Sequence, residues 1–247
     1  MFNLIKAELY KYRKKKFIYK TNIILLLLIV LYFSLIGGNG ILDSVHINIF
    51  NMLSIVFAVI PPLVYIFLDV FTEEFKEETF KNIISSNISR EKIYLSKFIV
   101  QIILAIITSI ICMTVVYICI MLFGLQGKNF LETSNNFLLR FLSGVPIYIA
   151  VIALGDLLIV LIKKEIIASM VFYVIIFFSK QVFGLLGYFV SPIFDKLVKY
   201  TITAPLEPLQ YANATLTNMY FAITVGIVYT VVLLSIGIFV FKNQEIK

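Results

Sequence analysis

The chain has 247 residues, 61% of them hydrophobic and only 14% charged, with a mean hydropathy of +1.00 and a formal net charge of +7. A soluble domain is about a quarter charged and at most about half apolar, so this composition excludes an ordinary soluble globular protein. The apolar residues gather into runs of roughly 20, the length that crosses about 30 Å of hydrocarbon as a helix. The runs lack the period-2 alternation of a barrel strand, and in lipid a spanning segment must satisfy its own backbone. The expectation is an all-α integral membrane protein with six transmembrane helices, forming one domain over residues 1–247.

Residues 1–20 set Phe2, Leu4, Ile5, Leu9 and Tyr12 at roughly helical spacing among Lys6, Lys11, Arg13, Lys14, Lys15, Lys16 and Lys20. That pattern predicts an N-terminal amphipathic interfacial helix, apolar side in lipid and cations toward anionic head groups. An ordinary positive flank of the first span is the plainer alternative. The first span lies near 18–36 and is broken by Gly37, Gly38 and Gly40. No small-residue cleavage site follows it, so it reads as a retained span and not a secretory signal. The second, near 49–71, contains Pro61 and Pro62, which remove helix hydrogen bonds and predict a kink.

Residues 72–97 are the longest charged stretch. An amphipathic piece carries Phe75, Phe80, Ile83 and Ile84, and a break follows at 85–87. Ser89 is then placed to cap a helix opened by Arg90, Glu91 and Lys92 and continued by the third span near 98–123. A loop through Gly124, Gly127 and Asn135 leads to the fourth span near 138–162. Lys163, Lys164 and Glu165 turn the chain into the fifth, from Ile166. The region 191–217, with Pro192, Pro205 and Pro208, reads as short helices dipping into the outer interface, and the sixth span lies near 218–241.

Lys and Arg placement sets the orientation. Sixteen of the 21 lie in segments 1–22, 72–97, 163–165 and 242–247, which puts both termini in the cytoplasm. The positive charge thus reports topology and anionic lipid, and no nucleic-acid partner is needed to explain it.

Most chemistry is excluded. The nearest fragment to a phosphate loop, Gly124 to Lys128, lacks the GxxxxGK[ST] spacing. His46 is the only histidine, and no HExxH or nucleophile elbow occurs. No catalytic residue, metal or bound cofactor is therefore expected on this chain. Cys112 and Cys119 are two helical turns apart, about 10 Å, beyond disulfide reach, and read as packing residues. The doublets Glu73-Glu74 and Glu77-Glu78 read as a solvated helix face. Ionisable residues inside spans are costly and often functional. Asp69 ends the second span within reach of water. Asp156 and Lys180 lie in the fourth and fifth, differing by roughly 10 Å in depth. Together with Pro61 and Pro62 they are candidates for a pathway or a helix interface.

The order Glu74, Thr79, Lys81, Ser89, Arg90 and Lys97 resembles the permease subunits of ABC-2 type transporters, with Glu78 standing where that family usually has Gly. The resemblance covers the whole chain and implies a type V exporter-like permease fold. It implies that residues 72–97 contain the coupling helix, with Phe75, Glu78, Thr79, Phe80, Ile83 and Arg90 toward the ATPase. It implies a separate ABC ATPase chain in two copies, holding ATP and Mg, and a second permease copy or paralogue in a dimer within the bacterial plasma membrane. Length without a large outer domain looks like the branch for lantibiotic immunity, bacitracin resistance or peptide export, with an amphipathic peptide or lipid-like substrate. Two other classes stay open: a membrane-embedded sensing or regulatory subunit, and an ion-coupled carrier using Asp156 and Lys180.

Overall fold

A computed structural model describes residues 1–38, 71, 88–124, 129–211 and 213–244, and all regular structure among them is helical. In chain order these are α1 (Phe2–Arg13), α2 (Lys16–Gly38), α3 (Arg90–Leu122), α4 (Phe130–Ile162), α5 (Glu165–Phe189), α6 (Ile193–Val198), α7 (Leu206–Leu209) and α8 (Leu216–Asn243). Among the described residues four helices, α3, α4, α5 and α8, are long and apolar enough to cross a membrane. The expected second span and most of the 72–97 loop lie outside the described residues.

The expected continuous 1–20 helix is divided. Lys14 and Lys15 close α1 with short-range bonds to Lys11 O and Tyr12 O, and α2 begins at Lys16. Four consecutive cations, Arg13 to Lys16, explain the break: cations favour a helix C-terminus and oppose its continuation through their mutual repulsion. Downstream, α3 starts at Arg90 after Ser89, as expected, although the Ser89 side chain makes no capping bond.

The centre of the bundle is α4, buried almost continuously from Ile147 to Val160. Among the described residues its most extensive partner is α8. At their crossing, a Cβ built on Gly226 would lie 2.6 Å from Ile147 N and Pro146 C. Only glycine permits that approach, as small residues do wherever membrane helices pack closely. Pro146 interrupts the α4 bond ladder there, and its carbonyl accepts from Thr230 Oγ1 at 3.4 Å. α5 lays Ala168, Phe172 and Ile176, one stripe at spacing four, against α4; α2 lays Leu25, Ile29 and Phe33 against α3 in the same way. Between α4 and α5 the chain reverses at Lys163, in the left-handed region at φ 58. This is a tight helical hairpin with a cation at the helix C-terminus.

Residues 191–211 fold back into the bundle. α6 packs on α5, and α7 buries Leu206 and Leu209 against α4 and α8. Thr201, Ile202 and Ala204 are buried, and Tyr229, midway along α8, donates its hydroxyl to Tyr200 O at 2.8 Å. The segment therefore enters between α4, α5 and α8 and is not confined to a surface.

Candidate functional site

The described polar contacts between helices concentrate at the face where α1 and the end of α8 lie. On α3, Tyr94, Lys97 and Gln101 fall at i, i+3 and i+7, one helical stripe, and all three are fully enclosed. Lys97 Nζ meets Glu8 Oε1 of α1 at 3.1 Å. Its ammonium also lies 5.7 Å from the centre of the Phe71 ring. Phe71, Tyr94 and Phe241 of α8 form an aromatic cluster with centroids 5.2 to 6.2 Å apart. Gly237 leaves room for the Tyr94 hydroxyl, which a Cβ would overlap. Tyr12 packs on Val100 with Ile5, Leu9 and Leu104 around them. An ion pair and an apolar patch thus hold α1 on α3.

A second set of contacts ties down the carboxyl end. Arg90 Nη1 donates to Lys242 O at 2.9 Å and Gln244 O at 2.6 Å. Lys242 Nζ pairs with Glu91 at 2.8 Å, and Gln244 Nε2 donates to Val160 O at 2.7 Å. The start of α3, the ends of α4 and α8, and α1 are therefore joined at one face.

Asp156 sits one turn inward from Val160 and is fully enclosed. The Gln101 amide and the Lys97 charge bear on its carboxyl group. Gln101 of α3 is likewise fully enclosed. Lys180 does not meet Asp156: its ammonium pairs with Glu207 at 2.6 Å, toward the opposite face. There too Arg140 donates to Tyr211 O and Asn136 Oδ1. Between α3 and α4 runs an apolar groove of about 320 Å³ along Ile102, Ile106, Met113, Phe141, Val145 and Tyr148. Cys112 and Cys119 are buried and free. Among the described residues no group of three His, Cys, Asp or Glu could hold a metal ion.

Of the residues singled out from sequence, Arg90, Asp156 and Lys180 are placed as above. Pro61, Pro62, Phe75, Glu78, Thr79, Phe80 and Ile83 lie outside the described residues. Sequence reasoning missed the buried role of Tyr94, Gln101 and Glu8, and matched Lys97 only as part of a family pattern. The signal was available: Glu8 is the sole acid in the basic leading segment, and the three α3 residues share one stripe.

The family model described as ABC-2 family transporter protein matches residues 4–180. The chain belongs to the ABC-2 transporter family. It is thus a multi-pass membrane permease subunit of an ABC transporter, the transport component and not itself catalytic, and the family implies an ABC ATPase as partner. No curated protein matches the chain. Within this permease, the matched region spans both members of the Glu8–Lys97 pair, as well as Asp156 and Lys180.

Proposed function

We propose that this permease moves an amphipathic peptide or lipid-like substrate, driven by ATP hydrolysed on two copies of a separate ATPase, as a dimer in the bacterial plasma membrane. Six spans, an interfacial α1 and cytoplasmic termini complete the reading. The joined face is then cytoplasmic, and the 72–97 loop that feeds α3 is the coupling element. The observation that carries this reading is the set of bonds around the start of α3. Arg90, Glu91 and Lys97 link it to α8 and α1, and Gln244 links the same end to α4. A push on the loop at Arg90 therefore reaches several helices together. The apolar groove between α3 and α4 supports a ligand with an apolar face over a small hydrophilic one.

The test is ATP turnover by the copurified permease and ATPase in proteoliposomes. Amphipathic antimicrobial peptides should stimulate turnover and be cleared from the membrane. Stimulation without movement of the peptide would make the protein a sensor. Failure to copurify with any ATPase, with turnover replaced by a dependence on an ion gradient, would make it a carrier.

A further inference from the structure

Glu8 is the only acid in residues 1–22, and it is turned inward to Lys97 of α3. Ile5, Leu9 and Tyr12 lie on the same inner side, against Val100 and Leu104. The apolar side of α1 that the sequence assigns to lipid is therefore packed on protein, and a cationic and aromatic surface faces outward. Where α1 meets α2, Arg13, Lys14, Lys16 and Lys20 are all exposed. Two tyrosines stand among them, Tyr10 at 61% and Tyr19 at 53% exposure. The corner is internally braced: Lys14 Nζ lies 4.5 Å from the centre of the Tyr10 ring, and the Tyr19 hydroxyl donates to Arg13 O at 3.0 Å.

What covers this corner follows from the helix that continues it. Within a turn of Lys20 the outer side of α2 becomes apolar, with Ile23, Ile24, Leu27, Leu28, Leu31 and Leu35 all exposed, a surface that suits hydrocarbon. The cations thus sit just outside the hydrocarbon edge, at the level of lipid phosphates, where tyrosines also gather. Basic segments beside a span are drawn to anionic lipid, and a guanidinium grips a phosphate through two parallel hydrogen bonds. An acidic soluble partner would match the charge but not the apolar stripe that adjoins it. We propose that the α1–α2 corner is a binding site for the phosphate head groups of anionic lipid, which it selects over zwitterionic lipid. This rests on the reading of α1 as interfacial. Lipid then holds the corner from outside while Glu8 and Tyr12 hold α1 on α3 from inside.

The chain contains no tryptophan, so Tyr10→Trp in the full permease places a single fluorophore at this corner. The protein is reconstituted in vesicles of mixed phosphatidylcholine and phosphatidylglycerol. Bromine, which quenches tryptophan on contact, is carried either by the phosphatidylglycerol or by an equal amount of the phosphatidylcholine. Surface charge is then the same in both, and only the identity of the neighbouring lipid is read. Brominated phosphatidylglycerol should quench about five-fold more strongly, the enrichment that one cation near an anionic head group supports. High salt should bring the two toward equality, as should Arg13→Gln combined with Lys20→Gln. If that double variant fails to insert, the salt series decides, and a preference that salt leaves intact overturns an electrostatic site. Equal quenching by the two lipids at low salt overturns the selectivity while leaving α1 at the interface. Quenching by neither lipid, with full quenching by iodide in the water, places the corner in solvent and overturns the interfacial reading as well.

Discussion

Gly226 and Gly237 both sit on the buried side of α8, yet they meet different neighbours. At Gly226 an added Cβ meets the backbone of Pro146 and Ile147, which cannot move without parting the two helices. At Gly237 it meets the end of the Tyr94 side chain. Overpacking of a filled core costs about 1–3 kcal/mol. Gly226→Ala is expected at or above the top of that range and Gly237→Ala within it, read as lowered thermal unfolding midpoints in detergent. Tyr94→Phe removes the clashing oxygen, so it should recover part of the loss caused by Gly237→Ala and none of that caused by Gly226→Ala. Lys180 permits a similar argument. It lies fifteen residues into α5, roughly 22 Å along the axis, where a lone cation costs about 2.5–3.5 kcal/mol on insertion scales. Glu207 cancels that charge. Glu207→Gln alone should therefore lower accumulation in the membrane more than Glu207→Gln combined with Lys180→Gln; equal losses would show that the pair is solvated and energetically idle.

At the scale of elements, the long helices were legible because apolar runs of membrane length admit no other structure. α3, α5 and α8 begin within a few residues of expectation where a cap or charge marks them, as at Ser89 and Glu165. The break between α1 and α2 was not legible, since Lys14 and Lys15 suit both a helix and its end. Nor was the central place of α4. All the long helices are strongly apolar, and lipid accepts an apolar face as readily as a protein core does. The glycine at the α4–α8 crossing permits their close approach, and a glycine in a span carries no sign of what it touches. The buried stripe on α3 was readable from spacing, but its meaning depended on Glu8, 89 residues away. Breaking a buried pair by removing one partner costs about 3–5 kcal/mol. Glu8 is slightly exposed, so Lys97→Met should fall near the lower end. Limited proteolysis at the α1–α2 break should become several-fold faster in that variant. An unchanged cleavage rate would mean that contacts other than the ion pair hold α1.

Under the proposed coupling role, residues 72–87, which lie outside the described residues, are where the permease meets its ATPase, and there the sequence carries the argument. Phe75 and Phe80 stand among Glu73, Glu74, Lys76, Glu77 and Glu78, an arrangement poorly suited to a free solvated helix. It suits a pocket on a partner that covers the rings, with the charges forming a polar rim. The family supplies that partner, an ABC ATPase. In the proposed coupling the receiving end would be Arg90, which opens α3 and is bonded to the end of α8. Loss of a well-buried aromatic anchor commonly costs at least about 2 kcal/mol of binding, roughly thirty-fold in affinity. Phe75→Ala with Phe80→Ala should leave the permease inserted, with an unfolding midpoint like that of the wild type. It should reduce copurified ATPase about thirty-fold or more and free the remaining ATP turnover from any response to substrate. Arg90→Ala should behave differently: it leaves the rings in place, so the ATPase should still bind while substrate no longer stimulates it. If the double phenylalanine variant keeps its full complement of ATPase, the rings lie back on the membrane and force enters the permease somewhere other than this loop.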